Sequence, residues 1–235
     1  MDITLTLIIT AVVVFAVLLA IVLSANGALV SAFKKYNRMY ASLGLTTQQF
    51  IFAAKEYYNI KKLKIARIKG ELTDCYIPHK RTIAISESCF GSSSVAALAV
   101  VAHEFGHALQ HAQRSLLFAF SRIVGFFSRI FAVFALPAIL AGLVVFALGD
   151  IQNVGVILMC AGGGIIVLGL LFKIITIPVE YNATHRALKF LKESGAMDED
   201  ELKIAKKILH SAGFTYVAGF ISSILGLNWL RRRLS

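Results

Sequence analysis

The chain has 235 residues, of which 57% are hydrophobic and only 16% are charged. Ordinary soluble domains contain about half apolar and about a quarter charged residues, so this composition excludes a conventional soluble protein and indicates membrane helices. The net charge of +11 could suit a nucleic-acid partner. We exclude nucleic acid because no motif that interleaves aromatic and basic residues accompanies the charge.

The basic residues stand beside apolar segments, which predicts that the lipid bilayer is the partner of this charge. Basic residues in such positions are typical of loops that face the cytoplasm. The clusters are Lys34, Lys35 and Arg38; Arg122 and Arg129; Lys173; and Arg231, Arg232 and Arg233.

Residues 1–30 are predicted to form an N-terminal transmembrane anchor. Ile3 to Leu23 is a run of 21 residues without a charge, which is long enough to cross a hydrocarbon core of about 30 Å. A cleaved signal peptide would begin with basic residues and have a shorter apolar region. Here Asp2 precedes the run and the lysines follow it. We therefore expect an uncleaved anchor with its N-terminus outside and residue 31 onward inside.

Residues 31–115 are the longest stretch of ordinary polarity and are predicted to form a small cytoplasmic part. Thr46 precedes a periodic apolar run, which predicts a capped helix of about a dozen residues. Two or three short strands are expected between Ile65 and Ser86, and Thr82–Ser86 is the clearest. A second helix is predicted from Val95 to beyond His111, and its candidate N-cap residues are Ser92, Ser93 and Ser94.

This second helix carries an H-E-x-x-H signature. The motif is His103-Glu104-Phe105-Gly106-His107. Residues four apart on a helix face the same way, so the two imidazoles can bind one metal ion. Glu104 lies beside them and can take a proton from a water that the metal activates. The motif therefore predicts a zinc hydrolase in which His103 and His107 bind the metal and Glu104 is the catalytic base.

The rest of the chain is predicted to be helical. Residues 116–178 contain two charge-free runs long enough to cross a membrane, Ile130–Leu148 and Val154–Phe172. Residues 179–211 are predicted to form one polar helix that carries the third metal ligand. Residues 212–235 are expected to be an apolar helix, in the membrane or at its interface, with a basic tail. The predicted fold is mainly α, with integral membrane helices and a small zincin-like catalytic unit that contains a short β-hairpin or sheet.

His111 and Glu180 are the two candidates for the third ligand. A straight helix places His111 about 12 Å from His103, which is too far for one ion to bridge. The third ligand must lie on the same side of the membrane as the histidines, and two predicted spans return the chain to that side just before Glu180. Pro178 is predicted to begin a helix and to place Glu180 in its first turn. A solvated or salt-bridged glutamate remains the alternative for Glu180.

Four segments of the chain resemble the YugP-type neutral zinc metallopeptidases, which are membrane-bound proteins of bacteria. These segments are Leu72–Tyr76, Ile83–Ser86, Ala102–His111 and Pro178–Ala187. The resemblance implies one zinc ion, with His103, His107 and Glu180 as ligands and Glu104 as the base. It also implies a site that faces the cytoplasm from the bacterial cytoplasmic membrane, as in the related HtpX-type proteases.

The chain departs from this family pattern at two positions near Glu180. Asn182 stands where the family usually has Asp, and Thr184 stands where Ser is usual. If that Asp orients a ligand, Asn182 can still form a hydrogen bond but brings no charge, and zinc affinity would be weaker. Asn182 and His111 are therefore candidates for residues that support the ligands without binding zinc.

Together these features predict a membrane-embedded zinc-dependent endopeptidase that acts on peptides or proteins, including membrane proteins. The alternative is a catalytically silent membrane scaffold that holds zinc as a structural clamp. A transporter is disfavoured because no acidic residue lies in the middle of a span and no inverted repeat is present. The strand Thr82–Ser86 is expected to pair with an extended substrate. The weaker candidates for stabilising an oxyanion are His79, His185, His210, Tyr76, Tyr181 and Arg186.

Overall fold

The computed structural model describes residues 3–149 and 151–224. Its elements in chain order are α1 (Ile3–Tyr36), α2 (Thr47–Tyr57), β1 (Lys64–Ile68), β2 (Cys75–Ile77), β3 (Thr82–Ser86), α3 (Val95–Ala112), α4 (Leu116–Leu148), α5 (Gln152–Glu193) and α6 (Glu199–Ile224). The predicted fold class, mainly helical with a small sheet, is confirmed. The predicted basic tail, Arg231 to Arg233, lies outside the described residues.

Three helices are long and apolar enough to cross a membrane, as the sequence predicted. Within the described ranges they are Ile8–Tyr36 of α1, Leu116–Leu148 and Gln152–Glu193. Each helix is longer than the charge-free run that predicted it, because charges do not stop helix propagation. Lys34 and Lys35, for example, lie in the last turn of α1.

The described residues form two compact units. The helical unit comprises residues 3–28, 125–149, 151–174 and 214–224, and the mixed unit comprises residues 29–124 and 175–213. Within the helical unit, α4 and α5 approach closely at glycines. A Cβ atom added to Gly142 would lie 2.7 Å from the carbonyl oxygen of Gly155, and one added to Gly162 would lie 2.8 Å from that of Ala135. Small residues allow such close helix contacts in membranes.

The sheet of the mixed unit has the strand order β1-β3-β2. β1 runs parallel to β3, and β2 runs antiparallel to β3 and is joined to it by the turn at residues 78–81. All five residues of Thr82–Ser86 are buried. The expectation that this strand pairs with a substrate is therefore wrong, because both of its edges are already hydrogen-bonded to neighbouring strands.

The core of the mixed unit surrounds α3. Ser94 is the N-cap, as predicted, and its side chain accepts a hydrogen bond from the backbone N–H of Ala97. Almost every residue of α3 up to Gln110 is buried, as expected for a helix that is covered on all sides. The residues around it come from α2, β3, α5 and α6 and include Phe50, Ile51, Ile83, Ile85, Leu191 and Ile208.

The helix α2 begins where the sequence predicted. Thr46 is its N-cap and forms a reciprocal capping box with Gln49. Each of the two side chains accepts a hydrogen bond from the other residue's backbone N–H, so two donors at the helix start are satisfied. The predicted length of about a dozen residues agrees with the 11 residues of α2.

The prediction that a helix begins at Pro178 is wrong, because Pro178 lies inside α5. Proline removes one backbone donor, but Val179 and Ala183 are buried just beyond it and hold the continuing helix in the core. The single polar helix predicted over residues 179–211 is in fact two. The chain leaves α5 through Gly195, which has a left-handed φ of +67°, and α6 begins behind Asp198.

Candidate active site

The helix α3 presents His103 and His107 on one face. Their ring centroids are 4.7 Å apart and the rings are nearly perpendicular, with an interplanar angle of 86°. Both side chains are buried. Buried polar groups require partners, so the surroundings of these two rings define what the site can bind.

Glu180 of α5 meets both histidines through the same carboxylate oxygen. Its Oε2 lies 3.2 Å from Nε2 of His103 and 3.3 Å from Nε2 of His107. The three ligand atoms all lie within 4.8 Å of one another. A tetrahedral zinc ion with bonds of about 2.0–2.2 Å would separate its ligand atoms by about 3.3–3.6 Å. The donor set therefore fits a zinc ion in its chemistry, and the two distances to Glu180 fit the expected spacing.

The close contact between α3 and α5 depends on Gly106. A Cβ atom at this position would lie 2.4 Å from the backbone carbonyl oxygen of Ala183, a distance that no real side chain tolerates. Because Gly106 lies between the two histidines and Ala183 lies three residues after Glu180, this contact sets how near the carboxylate comes to the imidazoles.

Hydrogen bonds to the outer ring nitrogens orient both imidazoles. Nδ1 of His107 lies 3.0 Å from Oε1 of Gln110. The amide of Gln110 donates from Nε2 to the carbonyl oxygen of Val179 and to Oδ1 of Asn182, so its oxygen must face His107. The Nδ1 atom of His107 is consequently the protonated nitrogen of the neutral ring, and Nε2 keeps a lone pair for a metal.

His103 has an equivalent partner on α5. Its Nδ1 lies 3.1 Å from the hydroxyl oxygen of Thr184, which can accept a hydrogen bond from an Nδ1–H group. In that arrangement the Nε2 lone pair of His103 faces Glu180. The hydroxyl group of Thr184 can therefore hold His103 in the tautomer that leaves Nε2 free.

The electrostatics of the site favour a positive charge between the three ligands. Burial by itself lowers the pKa of His107, but its hydrogen bond to Glu180 and the negative charges of Glu180 and Glu104 outweigh burial and raise that pKa to about 9. Two carboxylates in a buried site stabilise a cation, which can be a proton or a metal ion.

Glu104 is a buried carboxylate outside this group of three. Its Oε2 accepts a hydrogen bond of 2.7 Å from the backbone N–H of Tyr76 on β2. Burial raises the pKa of Glu104, and the neighbouring histidines oppose only part of that effect. A raised pKa suits a group that must accept a proton and later return it near neutral pH.

Comparison with known proteins supports the same chemistry. Residues 10–232 match the family model described as "Putative neutral zinc metallopeptidase". The chain belongs to this family. It is also 30% identical over 204 residues to a protein of Bacillus subtilis (strain 168) named "Putative membrane protease YugP", with 84% of each chain covered. No solved structure matches the chain.

This family membership confirms the resemblance on which the zinc prediction partly depended. Asn182 is connected to His107 through the side chain of Gln110. Its Oδ1 accepts hydrogen bonds from Gln110 at 3.0 Å and from Nε of Arg186 at 2.7 Å. The amide oxygen of Asn182 accepts both bonds without carrying a negative charge.

His111 lies away from the three converging ligand atoms. Its Nδ1 is 2.8 Å from the hydroxyl oxygen of Tyr76, and its ring packs against Phe118 with centroids 5.8 Å apart. The same Phe118 ring lies 5.9 Å from that of His107. His111 thus supports the strand whose backbone holds Glu104.

The other histidines considered from the sequence lie apart from the site. His79, His185 and His210 are exposed, and they do not belong to the group that could hold a metal among the described residues. Sequence reasoning missed Gln110 and the backbone N–H of Tyr76. Gln110 had a detectable signal, since a polar residue three positions after His107 lies near it on the same face of the helix.

Proposed function

We propose that this chain is a membrane-embedded zinc endopeptidase with His103, His107 and Glu180 as the metal ligands and Glu104 as the general base. The observation that carries this proposal is the convergence of two imidazoles and one carboxylate beside a second, separately held carboxylate. Three protein ligands leave an open position, which distinguishes catalytic from structural zinc sites.

The bound zinc ion would activate a water molecule and polarise the carbonyl group of the scissile peptide bond. Glu104 takes one proton from the attacking water on its carboxylate and returns it to the leaving amine, so that a C–O bond forms as the C–N bond breaks. The backbone N–H of Tyr76 keeps the Glu104 carboxylate in place while it is charged. Gln110 and Thr184 hold the imidazoles in the tautomer that binds metal.

We further propose that the protein resides in the bacterial cytoplasmic membrane with its site facing the cytoplasm. The support is the set of three apolar helices and the basic residues beside them, such as Lys34 and Lys35 at the end of α1. The relative's printed name, a membrane protease, agrees with this location. Substrates in this setting are peptides or proteins, including membrane proteins.

The variant Glu104→Gln tests the catalytic proposal. Glutamine fills the same space and can still accept from Tyr76, but it cannot take a proton. We expect full zinc content and a loss of peptide cleavage of about 10²- to 10⁴-fold, as is typical for removing a general base. Cleavage of a fluorogenic peptide pool by detergent-purified protein measures this effect.

His185→Ala is the matched control, because His185 is an exposed residue on α5 outside the site and its loss should leave cleavage unchanged. Equal cleavage by the wild type and Glu104→Gln would contradict the proposed mechanism. Zinc bound at full occupancy without any peptide cleavage by the wild type would favour a silent zinc scaffold instead.

A further inference from the structure

A cleft of about 760 Å³ lies next to the candidate active site, within the mixed unit. Tyr76, His111 and Phe118 form part of its wall. Two of these residues contact the site directly, since Tyr76 donates its backbone N–H to Glu104 and Phe118 packs against His107. A cleft of this size is in the usual range for ligand-binding pockets.

The charged residues that line this cleft are all basic. They are Lys61, Lys62, Arg81, Arg114 and Arg122. Within the described residues, none of them forms an ion pair with a carboxylate. Arg81 and Arg122 lie near enough to His111 to assist burial in lowering its pKa. Their charges therefore act on the end of the cleft that adjoins the site.

The positive surface continues beyond this cleft. A second, neighbouring cavity of about 660 Å³ shares Lys61, Lys62 and Arg81 with it. Its other basic residues are Lys55, Lys64, His79 and Lys80, and it too has no acidic residue in its lining. A groove lined by one sign of charge concentrates ligands of the opposite sign.

Two of the arginines adopt a backbone conformation that favours glycine. Arg81 has a φ of +50° and Arg114 has a φ of +54°. Left-handed backbone is unfavourable for most residues with a side chain, and Gly or Asn is the usual occupant. The fold thus accepts strained backbone at two positions that bring a guanidinium group to the cleft. Strain of this kind is concentrated at functional sites.

The apolar part of the cleft is suited to a peptide rather than to a small inorganic anion. Ile60, Leu63, Ala108, Leu116 and Phe118 contribute to the wall between the cations. Apolar side chains of a peptide can pack against this part of the wall. A carboxylate of the same peptide can then accept two parallel hydrogen bonds from a planar guanidinium group.

We propose that this cleft binds carboxylate groups of the substrate and makes the enzyme selective for acidic peptides. The proposal rests on the proposed function for the identity of the substrate as a peptide. The carboxylate can belong to an Asp or Glu side chain near the scissile bond or to the C-terminus of the substrate. An anionic lipid headgroup is less favoured, because the cleft adjoins the residues that hold Glu104.

Peptide binding to full-length Glu104→Gln protein in a neutral detergent tests the proposal without requiring cleavage. The probes are matched fluorescent peptides that carry Glu or Gln at the same positions, each with a free or an amidated C-terminus. We expect the Glu peptides to bind about tenfold more tightly than the Gln peptides in low salt, with a smaller preference in high salt. A preference that depends only on the free C-terminus would assign the cleft to the terminal carboxylate.

Arg122→Gln and Arg81→Asn are each combined with Glu104→Gln. Either arginine substitution should weaken binding of the acidic peptide by about three- to fivefold relative to Glu104→Gln alone. Asn tolerates the left-handed backbone of Arg81, so the melting temperature of Arg81→Asn should not fall. Arg67→Gln is the control, because Arg67 pairs with Glu87 and lines neither cavity; it should leave peptide affinity unchanged.

Equal affinity for the Glu and Gln peptides would overturn the proposal, as would a preference that both arginine variants retain. The proposal would also be overturned if the protein showed no peptide preference but bound phosphatidylglycerol saturably in nanodiscs and lost that lipid binding in Arg122→Gln. That result would assign the cleft to lipid. An intact preference in a wild-type protein that cleaves no peptide would contradict only the proposed function.

Discussion

At the scale of single residues, Gln110 connects a candidate ligand to the helix that supplies the carboxylate. It is fully buried and bonds to His107, to the backbone of Val179 and to Asn182. In Gln110→Leu these three partners lose their hydrogen bonds. We expect the free energy of unfolding to fall by about 1–3 kcal/mol and zinc affinity to fall by about 10- to 100-fold.

Chelator competition and thermal unfolding measure these two effects. Gln113→Leu is the matched control, because Gln113 is exposed at the end of the same helix and contacts Arg186 rather than a histidine. An unchanged zinc affinity in Gln110→Leu would contradict the role of this side chain in orienting His107.

The raised pKa of His107 predicts opposite pH dependences for zinc binding and for the stability of the metal-free protein. Zinc must displace the proton from His107, so apparent zinc affinity should rise from about pH 6.5 to about pH 9, by up to about tenfold per pH unit. In the metal-free protein, the protonated histidine stabilises the fold fully below pH 6.5, and this contribution is lost as the pH rises through about 9.

Zinc titrations and melting temperatures of chelator-treated protein across this range test both slopes. His107→Gln should abolish the part of the pH dependence of stability that comes from the contact between His107 and Glu180. Zinc affinity that is independent of pH between 6.5 and 9 would show that no proton is displaced from the site.

The candidate catalytic residues differed in how far the sequence could locate them. The spacing of His103 and His107 was sufficient, because a helix places residues four apart on one face. Glu180 needed an argument from membrane topology and a family resemblance. The partner of Glu104 could not be predicted, because the N–H of Tyr76 belongs to the backbone and every strand residue offers the same group.

At the scale of secondary-structure elements, the site depends on how closely α3 and α5 approach. In Gly106→Ala the new Cβ would meet the Ala183 carbonyl oxygen at 2.4 Å, so the two helices must move apart. We expect a loss of about 1–3 kcal/mol in the free energy of unfolding, as is typical of overpacking. Zinc binding should also weaken, because Glu180 moves away with α5.

Thermal unfolding and zinc content measure both effects. Gly125→Ala is the control, because Gly125 lies in α4 with open space around its Cβ position, and alanine there should be neutral or slightly stabilising. Full zinc content in Gly106→Ala would mean that the helix spacing does not control the ligand geometry.

Element boundaries were predicted less well than element types. Pro178 is a common first residue of helices, yet here α5 continues through it. The local signal was outweighed by burial, since Val179 and Ala183 are buried just beyond Pro178. The strand Thr82–Ser86 was predicted correctly, but its central place in the sheet depends on β1 and β2, which no local pattern reveals.

At the scale of the whole molecule, the candidate ligands come from distant parts of the chain. His103 and Glu180 are 77 residues apart, and α4 and most of α5 lie between them in the sequence. The three ligand atoms therefore come together only when the chain has passed through α4 and most of α5. Since such a site is absent from the unfolded chain, zinc binding is coupled to folding, and zinc should stabilise the folded protein.

The central claim is that His103, His107 and Glu180 together bind one zinc ion. Its most direct test is the amount of zinc per polypeptide in detergent-purified protein, compared among the wild type, His103→Ala, Glu180→Ala and the control His185→Ala. We predict about one zinc ion per chain in the wild type and the control, and loss of zinc in the other two variants. Retention of zinc in Glu180→Ala, or a wild type that stays free of zinc after zinc is added back, would contradict the claim.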